Sequence, residues 1–289
     1  MTKISIVSDT TMGLTFEEAK EYNIHLISNG LTVAKKNYNE YIDMDTDSFL
    51  ELDSQSDIVP KTGAAAPGVT MEVMLEAAKE SDDVLCLAMT SGYSGGINIR
   101  TMVANQLNED YDTNIVVYDT PNIFSGAIPY YREAARLRDE GKSIEEVIEA
   151  LDDLAEHTSS HYAAEPYYIT EGGRFKETME ELEIERGDGQ YVGIEIERDP
   201  QLLWKAQDAD EAIEKLLLDL EEAVEKAQAD DIKLSVIVAG NTNNEYEDLL
   251  LEKIKEKYPH IRTEHNRMGP IASIHVGHGA IGLIWSPER

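Results

Sequence analysis

Short apolar runs alternate with amphipathic stretches along the first half of the chain. Four of these runs predict strands, at residues 4–7, 24–28, 84–89 and 115–118. Amphipathic spacing predicts helices, at residues 16–22, 43–52, 69–78, 97–107, 128–139 and 143–156. The uninterrupted run at 84–89 is typical of a strand buried on both faces. The repeated order of strand, loop and helix predicts a parallel α/β sheet.

The second half of the chain shows the same two kinds of pattern. Apolar runs predict three more strands, at residues 191–196, 234–239 and 281–285. Amphipathic stretches predict two more helices, at residues 208–229 and 245–258. We therefore predict an α/β fold with two domains. An N-terminal domain with a parallel sheet would span residues 1–160, and a C-terminal α/β domain would span residues 161–289.

The charge of the chain excludes several classes of function. The 289 residues include 25 Lys and Arg against 57 Asp and Glu, which gives a formal net charge of −32. Such a charge repels phosphate backbones and anionic membrane surfaces, and nucleic-acid binding needs clustered basic residues. We therefore expect neither nucleic-acid binding nor stable membrane association. A protein partner would be one with a basic face.

Hydropathy and cysteine content suggest a location for the protein. No apolar run approaches the roughly 20 residues of a membrane span, and polar residues follow the first apolar run too soon for a secretion signal. These features predict a cytoplasmic protein. The single cysteine, Cys86, lies within the run at 84–89 and is expected to be an inert core thiol.

Three loops rich in hydroxyl groups and small residues are candidates for chemistry. They are residues 8–11 (Ser-Asp-Thr-Thr), 62–65 (Thr-Gly-Ala-Ala) and 90–96 (Thr-Ser-Gly-Tyr-Ser-Gly-Gly). In open parallel sheets, ligands bind at the carboxyl ends of strands. A helix N-terminus offers unpaired N–H groups and about half a positive charge. Because the last two loops are expected to open into helices, we expect them to hold a small anion such as a carboxylate or phosphate.

An arginine and a histidine stand out later in the chain. Residues 171–174 (Glu-Gly-Gly-Arg) are expected to form a glycine turn that would direct Arg174 toward an anion. His275 lies among apolar residues, and Gly277 and Gly279 follow it, which predicts a loop that another group approaches closely.

We predict no metal site. The histidines at 265, 275 and 278 lack cysteine or carboxylate partners at a convincing spacing.

Two enzyme classes compete with a binding function. Residues 92–96 fit the G-x-S-x-G nucleophile elbow, and Ser94, Asp119 and His275 occur in the order found in hydrolases, which would make a serine hydrolase. A phosphate- or nucleotide-binding enzyme is the third possibility. The loops, however, contain neither G-x-G-x-x-G nor a Walker lysine.

The ordered set of motifs resembles the DegV family of fatty-acid-binding proteins. It comprises Ser-Asp-Thr-Thr after the first strand, the Thr62 loop with its proline, S-G-x-S-G, G-G-R and a late G-P-I-x-x-x-H-x-G-x-G-A-x-G, and it extends from residue 4 to residue 283. The resemblance implies a two-domain α/β protein that holds one long-chain fatty acid without a cofactor. It also implies a protein that presents the acid to a fatty-acid kinase and has no catalytic residues of its own.

The resemblance assigns roles to four residues. By motif position, Thr62 and Ser94 would bind the carboxylate, Arg174 would match the arginine of G-G-R, and His275 would match the late histidine. Departures from the family pattern include Gly63 where serine is usual, glycine at 96 where threonine is common and histidine at 278 where proline is usual.

The two ends of a fatty acid call for different surroundings. An unpaired carboxylate must not be buried. The hydroxyls of Thr62 and Ser94, the N–H groups of Gly63 and Gly95, and the side chains of Arg174 and His275 would therefore bind it. The tail would lie in an apolar slot between the domains, and its expected lining is Val192, Ile194, Ile271 and Ile274.

Overall fold

Three sheets organise the chain. The computed structural model describes residues 4–172, 190–198, 200–241 and 245–289. Its strands are β1 (Ile4–Asp9), β2 (Ile24–Ile27), β3 (Gly30–Val33), β4 (Lys36–Asn39), β5 (Lys61–Gly63), β6 (Asp83–Ala88), β7 (Asn114–Asp119), β8 (Ser159–Ala164), β9 (Tyr191–Glu195), β10 (Gln201–Ala206), β11 (Leu234–Gly240), β12 (Arg262–Arg267) and β13 (Ile281–Pro287).

Helices connect and cover these strands. They are α1 (Phe16–Glu21), α2 (Thr46–Ser54), α3 (Pro67–Glu80), α4 (Gly96–Asp110), α5 (Ile128–Asp139), α6 (Ile144–Ala155), α7 (Pro166–Gly172), α8 (Ala209–Ala229), α9 (Glu245–Lys257) and α10 (Pro270–Val276). Among the described residues, no helix has the length and apolar character needed to cross a membrane.

The first sheet is the parallel sheet that the apolar runs predict. Its strands lie in the order β2-β1-β6-β7, and every neighbouring pair is parallel. Strand β6 is buried from Val84 onward, as expected for a central parallel strand. Cys86 lies within β6, and burial raises the pKa of its thiol to about 12, so this thiol is unreactive at neutral pH.

A small antiparallel sheet lies beside the first one. It has the order β4-β3-β5, and its hairpin turns at Ala34 and Lys35, both of which have positive φ, as in a type I′ turn. Residues 62 and 63 belong to β5, which pairs with β3. The prediction of a loop at 62–65 that opens directly into a helix is therefore wrong at its first two residues. Helix α3 begins only at Pro67.

The second large sheet has six strands and is mixed. Its order is β10-β9-β8-β13-β11-β12, and only β11 and β12 pair in parallel. The first of these strands in the chain, β8, begins at Ser159. The α/β fold is confirmed, with one parallel and one mixed sheet. The division of the chain into domains at residue 160 stays a prediction.

The helix ends follow local capping rules. A capping box is present at the start of α6: Oγ of Ser143 accepts the N–H of Glu146 at 3.3 Å, and the Glu146 carboxylate accepts the N–H of Ser143 at 2.9 Å. Helix α8 is capped by Asp208, which accepts the N–H of Glu211 at 2.9 Å.

We expect Ser143→Ala to lower the free energy of unfolding by about 1 kcal/mol, because the N–H of Glu146 loses its acceptor. Urea unfolding followed by circular dichroism measures this change. Ser143→Thr is the matched control, because threonine keeps the acceptor oxygen. Equal destabilisation by both variants would contradict the capping role.

A set of contacts, here called the α10 clasp, fastens α10 to the segment 40–47. Oε1 of Glu40 accepts the N–H of Ile271 at 2.8 Å, and Oγ1 of Thr46 donates to the carbonyl of Met268 at 3.1 Å. Arg267 pairs with the Asp47 carboxylate, with Nη1 at 3.0 Å from one oxygen. The backbone is close enough that a Cβ at residue 269 would lie 2.4 Å from Oη of Tyr41.

Glu40 is the buried member of the α10 clasp. Only 1% of its surface is exposed, and Oε2 has no hydrogen-bond partner among the described residues. Burial is the largest influence and raises the pKa of Glu40 from its usual 4.5 to about 7. The hydrogen bonds from Thr10 and Ile271 oppose the rise, and the charge of Asp9 adds to it.

We expect Glu40→Gln to stabilise the protein at pH 8. Because the folded-state pKa lies above the unfolded one, the neutral carboxyl is favoured in the folded state, and its stabilising effect is present below pH 4.5 and lost as pH rises through about 7. Glutamine stays neutral and can still accept the N–H of Ile271. The gain at pH 8 should be on the order of 1–3 kcal/mol and should fall below about 1 kcal/mol near pH 5.

Chemical denaturation of both proteins between pH 5 and pH 8 gives this comparison. The exposed Glu76 on α3 provides the control substitution, Glu76→Gln. A Glu40→Gln curve that runs parallel to that of the unsubstituted protein would show that Glu40 does not titrate in this range.

Candidate functional site

A small cavity lies between the carboxyl edge of the parallel sheet, strand β5 of the small sheet and helix α10. Its volume is about 40 Å³. Its walls come from the ends of β1, β2, β5, β6 and β7 and from α10, and the lining residues are Thr11, Asn29, Thr62, Gly63, Ala64, Met89, Tyr93, Ser94, Ile123, Phe124, Ile271 and His275. The site is therefore at the carboxyl edge of the parallel sheet, where α/β proteins place their ligands.

One polar side of the cavity is formed by a threonine and a histidine. Oγ1 of Thr62 lies 3.0 Å from Nε2 of His275, within hydrogen-bonding distance. Strand β5 presents Thr62, and α10 carries His275. The pairing brings together two residues that are 213 positions apart in the chain.

Helix α10 lies within a stretch for which the sequence predicts a glycine loop. Residues 270–276 are helical, and the loop begins at Gly277, which has φ +103°. The predicted close approach is present: a Cβ at residue 277 would lie 2.2 Å from Oε2 of Glu165, and the same oxygen accepts the N–H of Gly279 at 3.0 Å. Glu165 thus holds the chain just after His275.

The loop before α4 forms another polar side of the cavity. Oγ of Ser94 accepts the N–H of Gly96 at 3.1 Å, and Gly95 is the N-cap residue of α4. Ser94 therefore lies beside the first turn of a 15-residue helix. The positive end of the helix dipole favours an anion at this position.

Aromatic rings form the apolar wall of the cavity. The rings of Phe124 and His275 stack with centroids 6.4 Å apart, and Tyr93 meets His275 edge-on at 6.2 Å. Phe124 has φ +51°, a left-handed conformation that costs a bulky residue about 1–3 kcal/mol. A Cβ at residue 13 would lie 2.8 Å from the carbonyl oxygen of Phe124, so glycine at 13 leaves room for this conformation.

A buried polar network joins the loops around the cavity. Nη2 of Arg100 donates to Oδ2 of Asp9 at 2.6 Å, and both side chains are at least 98% buried. Asn29 donates to Oδ1 of Asp9 at 2.7 Å and accepts the N–H of Ala65 at 3.0 Å. The network links α4, β1 and the chain that follows Thr62.

Sequence reasoning missed Arg100, although a signal for it exists. It lies on the buried face of α4, whose members are Gly96, Arg100, Val103, Ala104 and Leu107. A cation on the apolar stripe of a helix must find a buried partner.

The structure brings most of the predicted head-group residues together. Thr62, Gly63, Ser94 and His275 line the cavity, and Gly95 adjoins it at the start of α4. Arg174 lies outside the described residues.

The predicted tail residues are all buried in the core, but only one reaches the cavity. Ile271 lines it. Val192, Ile194 and Ile274 belong to the same large apolar cluster without lining the described cavity. Their contact with an acyl tail stays a prediction.

The arrangement favours binding over the hydrolase alternative. Both oxygens of Asp119, the acid expected in a triad, bind Ser91: one accepts its N–H at 2.8 Å and the other its hydroxyl at 2.6 Å. Nε2 of His275 faces Thr62, and Oγ of Ser94 accepts a backbone N–H.

The other two histidines considered for a metal site lie close to carboxylates. Nε2 of His265 lies 2.6 Å from Glu247, and Nε2 of His278 lies 2.9 Å from Asp53. In the described part of the chain, no group of three or more His, Cys, Asp or Glu side chains is arranged to hold a metal ion.

Comparison with known proteins identifies the family. The model of the family described as "Uncharacterised protein, DegV family" matches residues 3–181. A DegV domain-containing protein of Halalkalibacterium halodurans is 24% identical over the whole of both chains. Two solved structures share the fold at a TM-score of 0.87: DegV of Bacillus subtilis, described as a fatty acid binding protein (20% identical, 100% of both chains), and a stearic acid-binding protein of Eubacterium ventriosum (18% identical, 99% of this chain and 98% of that one). The match over more than half of its length shows that the chain belongs to the DegV family.

Proposed function

We propose that this protein binds one long-chain fatty acid as a carrier and does not itself catalyse a reaction. The observation that carries the proposal is the convergence of Thr62, Ser94 and His275 on one cavity with an aromatic wall. The descriptions of the Bacillus and Eubacterium proteins as fatty-acid binders support the same ligand class. No cofactor is part of the proposal.

The head group would be bound by hydrogen bonds from small donors. The hydroxyls of Thr62 and Ser94 can donate to a carboxylate, and His275 can donate through Nε2 in the appropriate tautomer. The N–H groups of Gly63 and Gly95 are further candidate donors. Hydrogen bonds to a charged group are worth about 1.5–3 kcal/mol each. A site of this kind can therefore offset the cost of taking a carboxylate out of water.

The acyl tail would need more room than the described cavity offers. Its 40 Å³ is well below the roughly 300–1,000 Å³ of typical ligand pockets. We therefore propose that the apolar cluster beside the cavity opens when the tail enters, with Val192, Ile194, Ile271 and Ile274 along its path. Burial of each methylene contributes about 0.8 kcal/mol, so a long chain provides on the order of 10 kcal/mol toward this rearrangement.

The bound acid would be handed to a protein partner. We propose a fatty-acid kinase with a basic docking face, because the charge of −32 disfavours anionic surfaces and favours cationic ones. Arg174, outside the described residues, is proposed to act near the head group. A cytoplasmic location is part of the same proposal.

Ligand analysis is the direct test of fatty-acid binding. The protein would be purified from a lipid-containing host, denatured, extracted and examined by mass spectrometry. We expect an acyl chain at close to one per protein. Failure both to recover an acyl chain and to bind added palmitic acid would rule out the proposal. A fluorophosphonate probe should leave Ser94 unlabelled, and labelling that is lost in Ser94→Ala would favour the hydrolase.

We expect Thr62→Ala combined with Ser94→Ala to weaken palmitic acid binding at least tenfold, because two hydrogen bonds to the carboxylate are lost. Titration calorimetry or displacement of a fluorescent fatty acid measures the affinity. Thr101→Ala with Ser54→Ala is the matched control, because both of these residues are exposed on helices. Unchanged affinity in the cavity variant would place the head group elsewhere.

A further inference from the structure

We propose that Arg100 is a specificity-determining residue that makes the site select an ionised head group over a neutral one, and that glycine at 96 is required to seat it. This inference rests on the proposed binding of a fatty acid. It adds to the site a buried cation next to the Ser94 loop. This arginine is not part of the sequence motifs.

The geometry places the guanidinium of Arg100 next to the Ser94 loop. A Cβ at residue 96 would lie 2.9 Å from Nη1 of Arg100, 3.4 Å from Oγ of Ser94 and 3.5 Å from Cβ of Ala64. Both Ser94 and Ala64 line the cavity. Any residue at 96 other than glycine would therefore force the guanidinium to shift.

The carboxylate of Asp9, which pairs with Arg100, also accepts hydrogen bonds from other donors. Asp9 accepts hydrogen bonds from Nη2 of Arg100, from Nδ2 of Asn29, and from the N–H and hydroxyl of Thr11. These donors hold the carboxylate and distribute its charge. Nε of Arg100 has no hydrogen-bond partner among the described residues. The guanidinium thus pairs with Asp9 through one nitrogen and has Nη1 at the Gly96 turn.

The buried ion pair of Arg100 and Asp9 is not explained by stability alone. Taking two charges out of water costs several kcal/mol per ion, and apolar replacements are often as stable. A role in binding an anion explains the buried arginine better. In a chain with net charge −32, a carboxylate entering the cavity meets an unfavourable field, and a fixed cation within about 4–6 Å typically lowers a carboxyl pKa by 1–3 units.

The measurable consequence is selectivity between a carboxylate and an alcohol. Palmitic acid and hexadecanol have the same tail, so tail burial and general packing cancel in the ratio of their affinities. A purely structural role for Arg100 would weaken both ligands together, whereas a charge role weakens only the acid. The ratio of the two dissociation constants therefore isolates the effect of Arg100.

The experiment compares the unsubstituted protein with Arg100→Gln, Gly96→Ala and Arg262→Gln. Arg262 is 60% exposed, and its substitution removes the same unit of charge from the surface. We expect the preference for the acid to fall at least tenfold in Arg100→Gln, to fall in the same direction in Gly96→Ala and to be unchanged in Arg262→Gln. Titration of carboxyl-labelled palmitic acid by ¹³C NMR should show a higher pKa for the acid bound to Arg100→Gln.

Four results would overturn the inference, each for a different reason. An unchanged preference in folded Arg100→Gln would show that the cation does not act on the head group, and an equal loss in Arg262→Gln would show that only overall charge matters. If Arg100→Gln does not fold, the Gly96→Ala variant provides the test, because it keeps the charges of both Arg100 and Asp9. An unchanged preference for the acid in Gly96→Ala would contradict the role of glycine at 96 in positioning Arg100. If the unsubstituted protein binds neither ligand, the proposed function fails and this inference fails with it.

Discussion

The placement of α10 is the constraint on which the candidate site depends. Thr62 and His275 are 213 positions apart in the chain, yet their side chains lie 3.0 Å apart. The clasp around Glu40, Thr46 and Asp47 fixes the start of α10, and Glu165 holds the turn after it. Because contacts hold both ends of this short helix, His275 of α10 is fixed beside the carboxyl edge of the parallel sheet.

The donors around the candidate site are local groups, although the chain as a whole is acidic. The described donors near the cavity are hydroxyls, backbone N–H groups, one side-chain amide, one imidazole and one buried guanidinium, and none of them is a surface lysine. Short donors on strand and helix ends lose little conformational freedom when they bind. The network of Asp9, Asn29 and Arg100 ties together the separate elements that carry them. The fold therefore holds the candidate head-group donors in place.

How much of this the sequence predicts depends on how each segment is buried. Strands such as β6 are apolar along their length, so the pattern predicts them with nearly correct limits. The strand β12 (Arg-Thr-Glu-His-Asn-Arg) is polar and lies at a sheet edge, and β8 (Ser-Ser-His-Tyr-Ala-Ala) is buried but built from small and polar residues. Neither sequence contains an apolar run. These segments form strands because they pair with neighbouring strands, which the local sequence does not show.

The candidate site also has parts that the local sequence predicts and parts that it does not. The hydroxyls and glycines around Ser94 are recognisable because loop composition and the following helix are local properties. The contact between Thr62 and His275 is set by tertiary packing, which the motif order can suggest only through family resemblance. The short strand β5 depends on its pairing with β3 across a long connection, so the residues at 62 and 63 read locally as a loop.

The burial of Cys86 has a practical consequence. The only thiol in the chain is enclosed in a central strand and stays protonated well above neutral pH. Cysteines introduced at the surface would then be the only accessible thiols for maleimide labelling, without prior removal of the native one. Pairs of fluorescent or spin labels could in this way report distances between the parallel and the mixed sheet in otherwise native protein.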